Sequence, residues 1–285
     1  MQYTEEFCNR EYDNRALVPE YAQHFARWSE AARHARSVHM VLLDLYYGRT
    51  SNECIDLFPA AEARGPLLVF IHGGYWRSLE KTDFSWVAPP FLARGVNVAV
   101  IDYDLAPAVS IREITIQVLR AIEWLWRGAQ RYGFDPERIY VSGHSAGGHL
   151  TAMAMAAQWP RLAADLPADL VKGGVAVSGL YDLEPIRHAS FLNADLKLDA
   201  RSAFEASPAW MPPATRAPLI TAVGGLESSE FHRQNRLIGE RWAASLKADV
   251  PLPGRNHFTA VDALAEPGHA LFEAAVALCG GKSAG

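Results

Sequence analysis

From about residue 65 onward the chain alternates short apolar runs with longer segments whose apolar residues recur every three or four positions. The runs are 67–71, 96–101, 139–142, 175–178 and 219–223. They are continuously apolar instead of alternating, the pattern of strands covered on both faces. Ile111, Ile114, Val118, Ile122 and Leu125 fall on one side of a helix, and 231–246 and 269–278 carry similar stripes. Strand–helix alternation of this kind predicts an α/β fold, a doubly wound and mostly parallel sheet with helices on both faces. Ligands of such sheets bind beyond the carboxyl ends of the strands, so the strand-to-helix loops should carry the chemistry.

The first 60 residues read differently. Residues 19–36 form an amphipathic helical pattern, and 41–58 suit a hairpin or edge strands. No Pro/Gly/Ser-rich linker separates them from the rest. Residues 1–285 are therefore assigned to a single domain, with 1–60 an N-terminal helical and edge-strand extension. Pro208, Pro212 and Pro213 make 200–215 an irregular loop.

Composition narrows the partners. The net charge is −5 over 285 residues and the basic residues form no long run, which speaks against nucleic acid or an anionic membrane. No apolar stretch approaches the ~20 residues that cross a bilayer. The opening segment carries Glu5, Glu6, Glu11 and Asp13 and lacks the apolar core of a signal peptide. Cys8, Cys54 and Cys279 are odd in number and far apart, which suits a reducing compartment. These features point to a cytoplasmic protein with a small-molecule substrate; a homodimer is left open.

The chemistry gathers on three loops. The run 138–142 reads as a strand, Gly143-His144-Ser145-Ala146-Gly147 follows, and a helical segment begins at Gly148. Strand, G-x-S-x-G and helix together are the context of a nucleophile elbow, in which a sharp turn exposes the serine and small residues clear the space around it. The helix N-terminus beneath favours developing negative charge. Upstream, His72-Gly73-Gly74 follows the first strong strand. Backbone N–H groups there, at Gly73 and Gly74, together with that of Ala146, fit an oxyanion hole; the Tyr75 N–H is an alternative donor. His72 itself reads as a hydrogen-bonded loop histidine.

In hydrolases with such an elbow the acid and the histidine follow the serine along the chain. Glu227 lies just past the strand 219–223, with Glu230 as a rival that would begin the next helix. His257 lies in a loop after a last strand at 248–252, and His269 is the competing histidine. In this reading Ser145 attacks, His257 moves its proton, and Glu227 orients His257. His144 should point away from Ser145. No metal-ligand spacing and no dinucleotide fingerprint occur, so no cofactor or metal is expected.

Taken together, His72-Gly73-Gly74-Tyr75-Trp76-Arg77, Gly143-His144-Ser145-Ala146-Gly147-Gly148-His149-Leu150 and Gly254-Arg255-Asn256-His257-Phe258 resemble the arylformamidase (kynurenine formamidase-like) branch of the α/β-hydrolases. So do 178–185, 229–234 and Tyr12-Asp13-Asn14-Arg15, so that the likeness spans nearly the whole chain. Tyr75 replaces the third glycine of hormone-sensitive-lipase-like esterases, and Glu227 stands where the best-known formamidases carry Asp. The resemblance implies the α/β-hydrolase fold and hydrolysis of N-formyl-L-kynurenine or a related aryl formamide through an acyl-enzyme. A carboxylesterase for small aryl or alkyl esters is the alternative, and a non-catalytic binding protein a remote one. Aromatic residues crowd the site loops; Tyr75, Trp76, Tyr181 and Phe258 are the expected pocket walls.

Overall fold

The computed structural model describes residues 3–282. Met1, Gln2 and Ser283 to Gly285, part of the span assigned above to one domain, lie outside the described residues. Eight strands form one sheet: β1 (Leu42–Tyr46), β2 (Cys54–Phe58), β3 (Gly65–Ile71), β4 (Asn97–Ile101), β5 (Phe134–His144), β6 (Val171–Val177), β7 (Leu219–Gly224) and β8 (Leu246–Leu252). Their spatial order is β1-β2-β4-β3-β5-β6-β7-β8. From β4 to β8 every neighbouring pair is parallel, whereas β1 and β2 pair antiparallel, as does β2 with β4.

The continuous apolar runs are explained by two cores, one on each face. On β3, Leu67, Val69 and Ile71 meet the stripe Ile111, Ile114, Val118, Ile122 and Leu125 of the helix Ile111–Tyr132. Leu68 and Phe70, pointing the other way, meet Phe84, Phe91 and Phe272. Alternate residues of one strand thus serve opposite layers, and both must be apolar. The helix Ile111–Tyr132 begins at a Ser110 cap and ends on Gly133 in the left-handed conformation.

Two expected elements differ. Residues 200–215 are not wholly irregular: a helix, Ala200–Glu205, occupies the start. Asp199 accepts from the Ser202 N–H at 2.7 Å, and the Ser202 hydroxyl in turn accepts from the Asp199 N–H at 2.9 Å. This capping box nucleates a short helix ahead of the prolines. The helix expected over 231–246 runs instead from Ser229 to Arg241. Its apolar end is claimed by the sheet, because the Leu219 N–H bonds to the Ser245 carbonyl at 2.8 Å and Leu246 opens β8. Pairing with β7 outweighs local helical periodicity there.

The N-terminal segment packs onto the carboxyl end of the sheet. Its long helix, Tyr21–Val38, buries Trp28 against Phe84 and Phe258, and the Trp28 indole and Arg27 both donate to Asp262. Tyr12 donates to Glu230 at 2.7 Å. No helix among the described residues is long and apolar enough to cross a membrane.

Candidate active site

β5 ends at His144 and the helix Ala146–Ala156 begins one residue after Ser145. Ser145 bridges them with φ 58° and ψ −119°, a backbone conformation that a side-chain-bearing residue adopts only under constraint. Its N–H bonds to the Val177 carbonyl of β6 at 2.9 Å, which holds the turn onto the sheet. Gly147 makes the turn feasible: a Cβ there would stand 2.0 Å from the Ile71 carbonyl oxygen and 2.7 Å from that of His72. Gly147→Ala should therefore cost about 3 kcal/mol of stability by overpacking. A urea-unfolding midpoint unchanged from the parent would contradict this.

His257 reaches the serine from the loop after β8. Asn256 caps its short helix, His257–Ala260, by accepting from the N–H groups of Phe258 and Thr259. The His257 Nε2 lies 3.1 Å from Ser145 Oγ, and its Nδ1 lies 2.6 Å from Glu227 Oε2. The other Glu227 oxygen accepts from the Gly224 N–H at 2.7 Å and from the Ser178 hydroxyl at 2.5 Å. A turn in which the Glu227 N–H bonds to the Gly224 carbonyl folds the carboxylate back toward β7. That fold-back absorbs the extra methylene of glutamate, so the side chain reaches His257 from this position. The site thus brings together Ser145, His257 and Glu227. The rival Glu230 is instead bonded to Tyr12 and Arg233, and His269 caps the helix Ala270–Cys279 through the Leu271 N–H. Ser178, with φ 51°, is a partner of the acid that the sequence did not reveal.

The loop after β3 faces the same point. Gly73 lies against the elbow: a Cβ on it would come within 3.1 Å of the Ser145 Cβ and 2.7 Å of the His144 carbonyl oxygen. Among the described residues, no protein acceptor engages the N–H groups of Gly73, Gly74, Tyr75 or Ala146. The loop is braced from beneath by His72, whose Nε2 meets Asp102 at 3.0 Å, whose Nδ1 meets the Gly73 carbonyl at 2.8 Å, and whose ring stacks on Tyr103.

His144 does not stand clear of the site. Its ring lies 4.7 Å from that of His257, and its Nε2 donates to the His257 carbonyl at 2.8 Å. Burial, with His257 beside it, keeps it well below the ordinary imidazole range; burial likewise holds His149 down at about 4. In the unfolded chain both titrate near 6.5. Their folded values are depressed, so the stability they contribute is complete above about 6.5 and is lost as pH falls below it, for His149 down to about 4. Each adds a slope of about 1.4 kcal/mol per pH unit within that window. The urea midpoint should therefore drop between pH 7.5 and 5, and His149→Gln should flatten the drop. Equal slopes in parent and variant would argue against a neutral buried His149.

A narrow cleft with a cavity volume of about 60 Å³, partly open to solvent, leads to Ser145 and His257. Two of the four expected walls line it, Tyr75 and Phe258. Trp76 and Tyr181 do not. Trp76 is fully buried, with its indole N–H 3.3 Å from His149 Nδ1. Left-handed backbone at both Tyr75 (φ 51°) and Trp76 (φ 58°) turns the second ring down into the core. Tyr181 is also fully buried; its ring fills the space beside Gly179, where a Cβ would lie 2.3 Å from the tyrosine oxygen. The missing walls come from the N-terminal segment: Asp13, Asn14, Arg15, Phe25 and Trp28. Tyr75 ties them in, donating to the Tyr12 carbonyl at 2.8 Å and accepting from Asn14 at 3.1 Å. No group of three His, Cys, Asp or Glu among the described residues is arranged to hold a metal ion.

The family model BD-FAE matches residues 55–187. A kynurenine formamidase from Salmo salar is 28% identical over 267 residues, covering 90% of this chain and 88% of that one. The Danio rerio kynurenine formamidase is 29% identical, covering 87% and 85%. A crystal structure from Silicibacter sp. TM1040, described as a candidate thioesterase, superposes with a TM-score of 0.83 at 32% identity, covering 92% of this chain and 96% of that one. The sheet order, the elbow and these relatives define a hydrolase of the α/β-hydrolase class. Within that superfamily the chain is similar, over about nine-tenths of its length, to kynurenine formamidases.

Proposed function

We propose that the protein hydrolyses an aryl formamide, N-formyl-L-kynurenine or a close analogue, by a serine mechanism. The observation that carries this reading is the hydrogen-bonded chain from Ser145 through His257 to Glu227 at the base of an aromatic cleft. Ser145 Oγ attacks the formyl carbon while His257 Nε2 takes its proton, and the carbonyl π electrons move to oxygen. The N–H groups of Ala146 and of Gly73 and Gly74, or Tyr75, receive that oxyanion; a single donor of this kind is worth about 3–4 kcal/mol in related chemistry. Collapse breaks the C–N bond, and His257 returns the proton to the departing arylamine nitrogen. Water, deprotonated by His257, then attacks the formyl-serine ester and releases formate. Glu227 keeps the Nδ1–H tautomer and stabilises the imidazolium in both halves.

Formamide fits the crowding around the nucleophile, because its carbonyl carbon carries only a hydrogen on the acyl side, where Gly73 lies against Ser145. Two kynurenine formamidases that align with about nine-tenths of the chain add support. A carboxylesterase reading draws on relatives such as Esterase LipC of Mycobacterium tuberculosis, 31% identical over 156 residues. Initial rates on N-formylkynurenine, formanilides and matched aryl acetates decide between them. The formamide reading expects the highest kcat/KM on the aryl formamide; turnover of acetates alone overturns it. Three free, buried thiols accord with a cytoplasmic setting.

A further inference from the structure

Charge at the mouth of the cleft is distributed unevenly. Arg77 lines it and is tied down through its Nη1, which donates to the Phe191 carbonyl at 2.7 Å and to Asp195 at 2.6 Å. Arg15 lines it and donates to no acceptor among the described residues. Its guanidinium is nonetheless held: Cζ lies 5.3 Å from the centroid of the Tyr21 ring and 5.8 Å from that of Phe25. These distances are within cation–π range and leave the N–H donors of the guanidinium free, a fork that matches a carboxylate. Asp13, two residues earlier, lines the same cleft. One of its oxygens accepts from the Ala16 N–H at 3.0 Å, and it makes no ion pair with Arg15. Opposite charges side by side, unpaired, suit a ligand that carries both signs.

The placement also suits the chemistry. Phe25 meets Phe258 edge-on at 5.3 Å, and Phe258 meets the His257 ring at 5.5 Å. Arg15 therefore stands two aromatic rings away from the group that moves the proton. A substrate whose acyl group lies at Ser145 and whose aryl ring lies along Phe258 would present its far end at Arg15 and Asp13.

We propose that Arg15 and Asp13 form a receptor for a zwitterionic amino-acid head on the leaving-group side of the substrate, Arg15 taking the carboxylate and Asp13 the ammonium. The proposal rests on the formamide reading for the name of the substrate but not for the existence of the receptor. It selects substrates by what lies remote from the scissile bond, and such binding is registered in kcat/KM.

The test uses the full chain and three formamides built on one aryl ketone: the amino acid, its decarboxylated amine and its deaminated acid. Arg15→Gln should lower the kcat/KM ratio of amino acid to amine by about 10- to 100-fold, as loss of a charged hydrogen-bonded pair does. Arg15→Lys should keep part of that preference, having the charge without the fork. Asp13→Asn, which still caps Ala16, should reduce the preference for amino acid over deaminated acid. Ratios unchanged in Arg15→Gln would overturn the receptor. Should that variant fold poorly, the parent decides alone: its preference for the carboxylate-bearing substrate should shrink as KCl is raised, and a salt-independent ratio overturns the proposal. Matched aryl acetates with and without the carboxylate separate the two readings. A carboxylate preference on esters, with no formamide turnover, would leave the receptor standing and remove the formamidase assignment.

Discussion

Ser145→Ala should lower kcat by about a million-fold on any substrate the protein turns over, because removal of a serine nucleophile disables its histidine as well. The variant should fold, since the methyl of alanine fits where the Ser145 Cβ already sits and the N–H bond to Val177 is kept. The same φ of 58° costs alanine what it costs serine. A stopped-flow acyl burst of one equivalent in the parent, absent from the variant at equal melting temperature, is the expected pair of results. A burst surviving in Ser145→Ala would move the nucleophile elsewhere.

The second large effect concerns the acid. Glu227→Gln should reduce kcat by about ten-thousand-fold, with little change in stability, because an amide facing His257 Nδ1 favours the wrong tautomer. Its two oxygens have different neighbours: one faces His257, and the other is fixed by Gly224 and Ser178. Glu227→Asp should retain more activity than the glutamine variant, since it keeps the charge while shortening the reach. Ser178→Ala should act through the same carboxylate and cost less than either. Equal activity of Glu227→Gln and the parent would assign the orienting role to another group.

The features legible from the sequence are those fixed by local backbone demands or by chain order. Gly147 announces the elbow because the Ile71 and His72 carbonyls leave no space for a side chain beside it. Glu227 and His257 follow β7 and β8 in the order that a strand-by-strand sheet imposes. Direction of a side chain is less legible. Trp76 and Tyr181 abut site loops in sequence, yet one left-handed turn and one glycine send their rings into the core. Long-range docking is not legible at all. Nothing local to Asn14, Phe25 or Trp28 points toward His257; they arrive because Tyr12 bonds to Glu230 and Trp28 to Asp262, more than two hundred residues away.

That docking has an implication for how specificity can vary. In the proposed mechanism the reacting groups sit on loops whose positions the sheet dictates, while residues 12–28 supply much of the cleft wall. The two parts meet at a handful of polar points, among them the Tyr75 hydroxyl on Tyr12 and Asn14. Selection acting on the wall can therefore redraw the accepted leaving group while the acyl-transfer apparatus stays as it is. Relatives with one shared chemistry and many substrates would then differ most in their first forty residues, and an exchange of that segment between two of them should carry substrate preference with it.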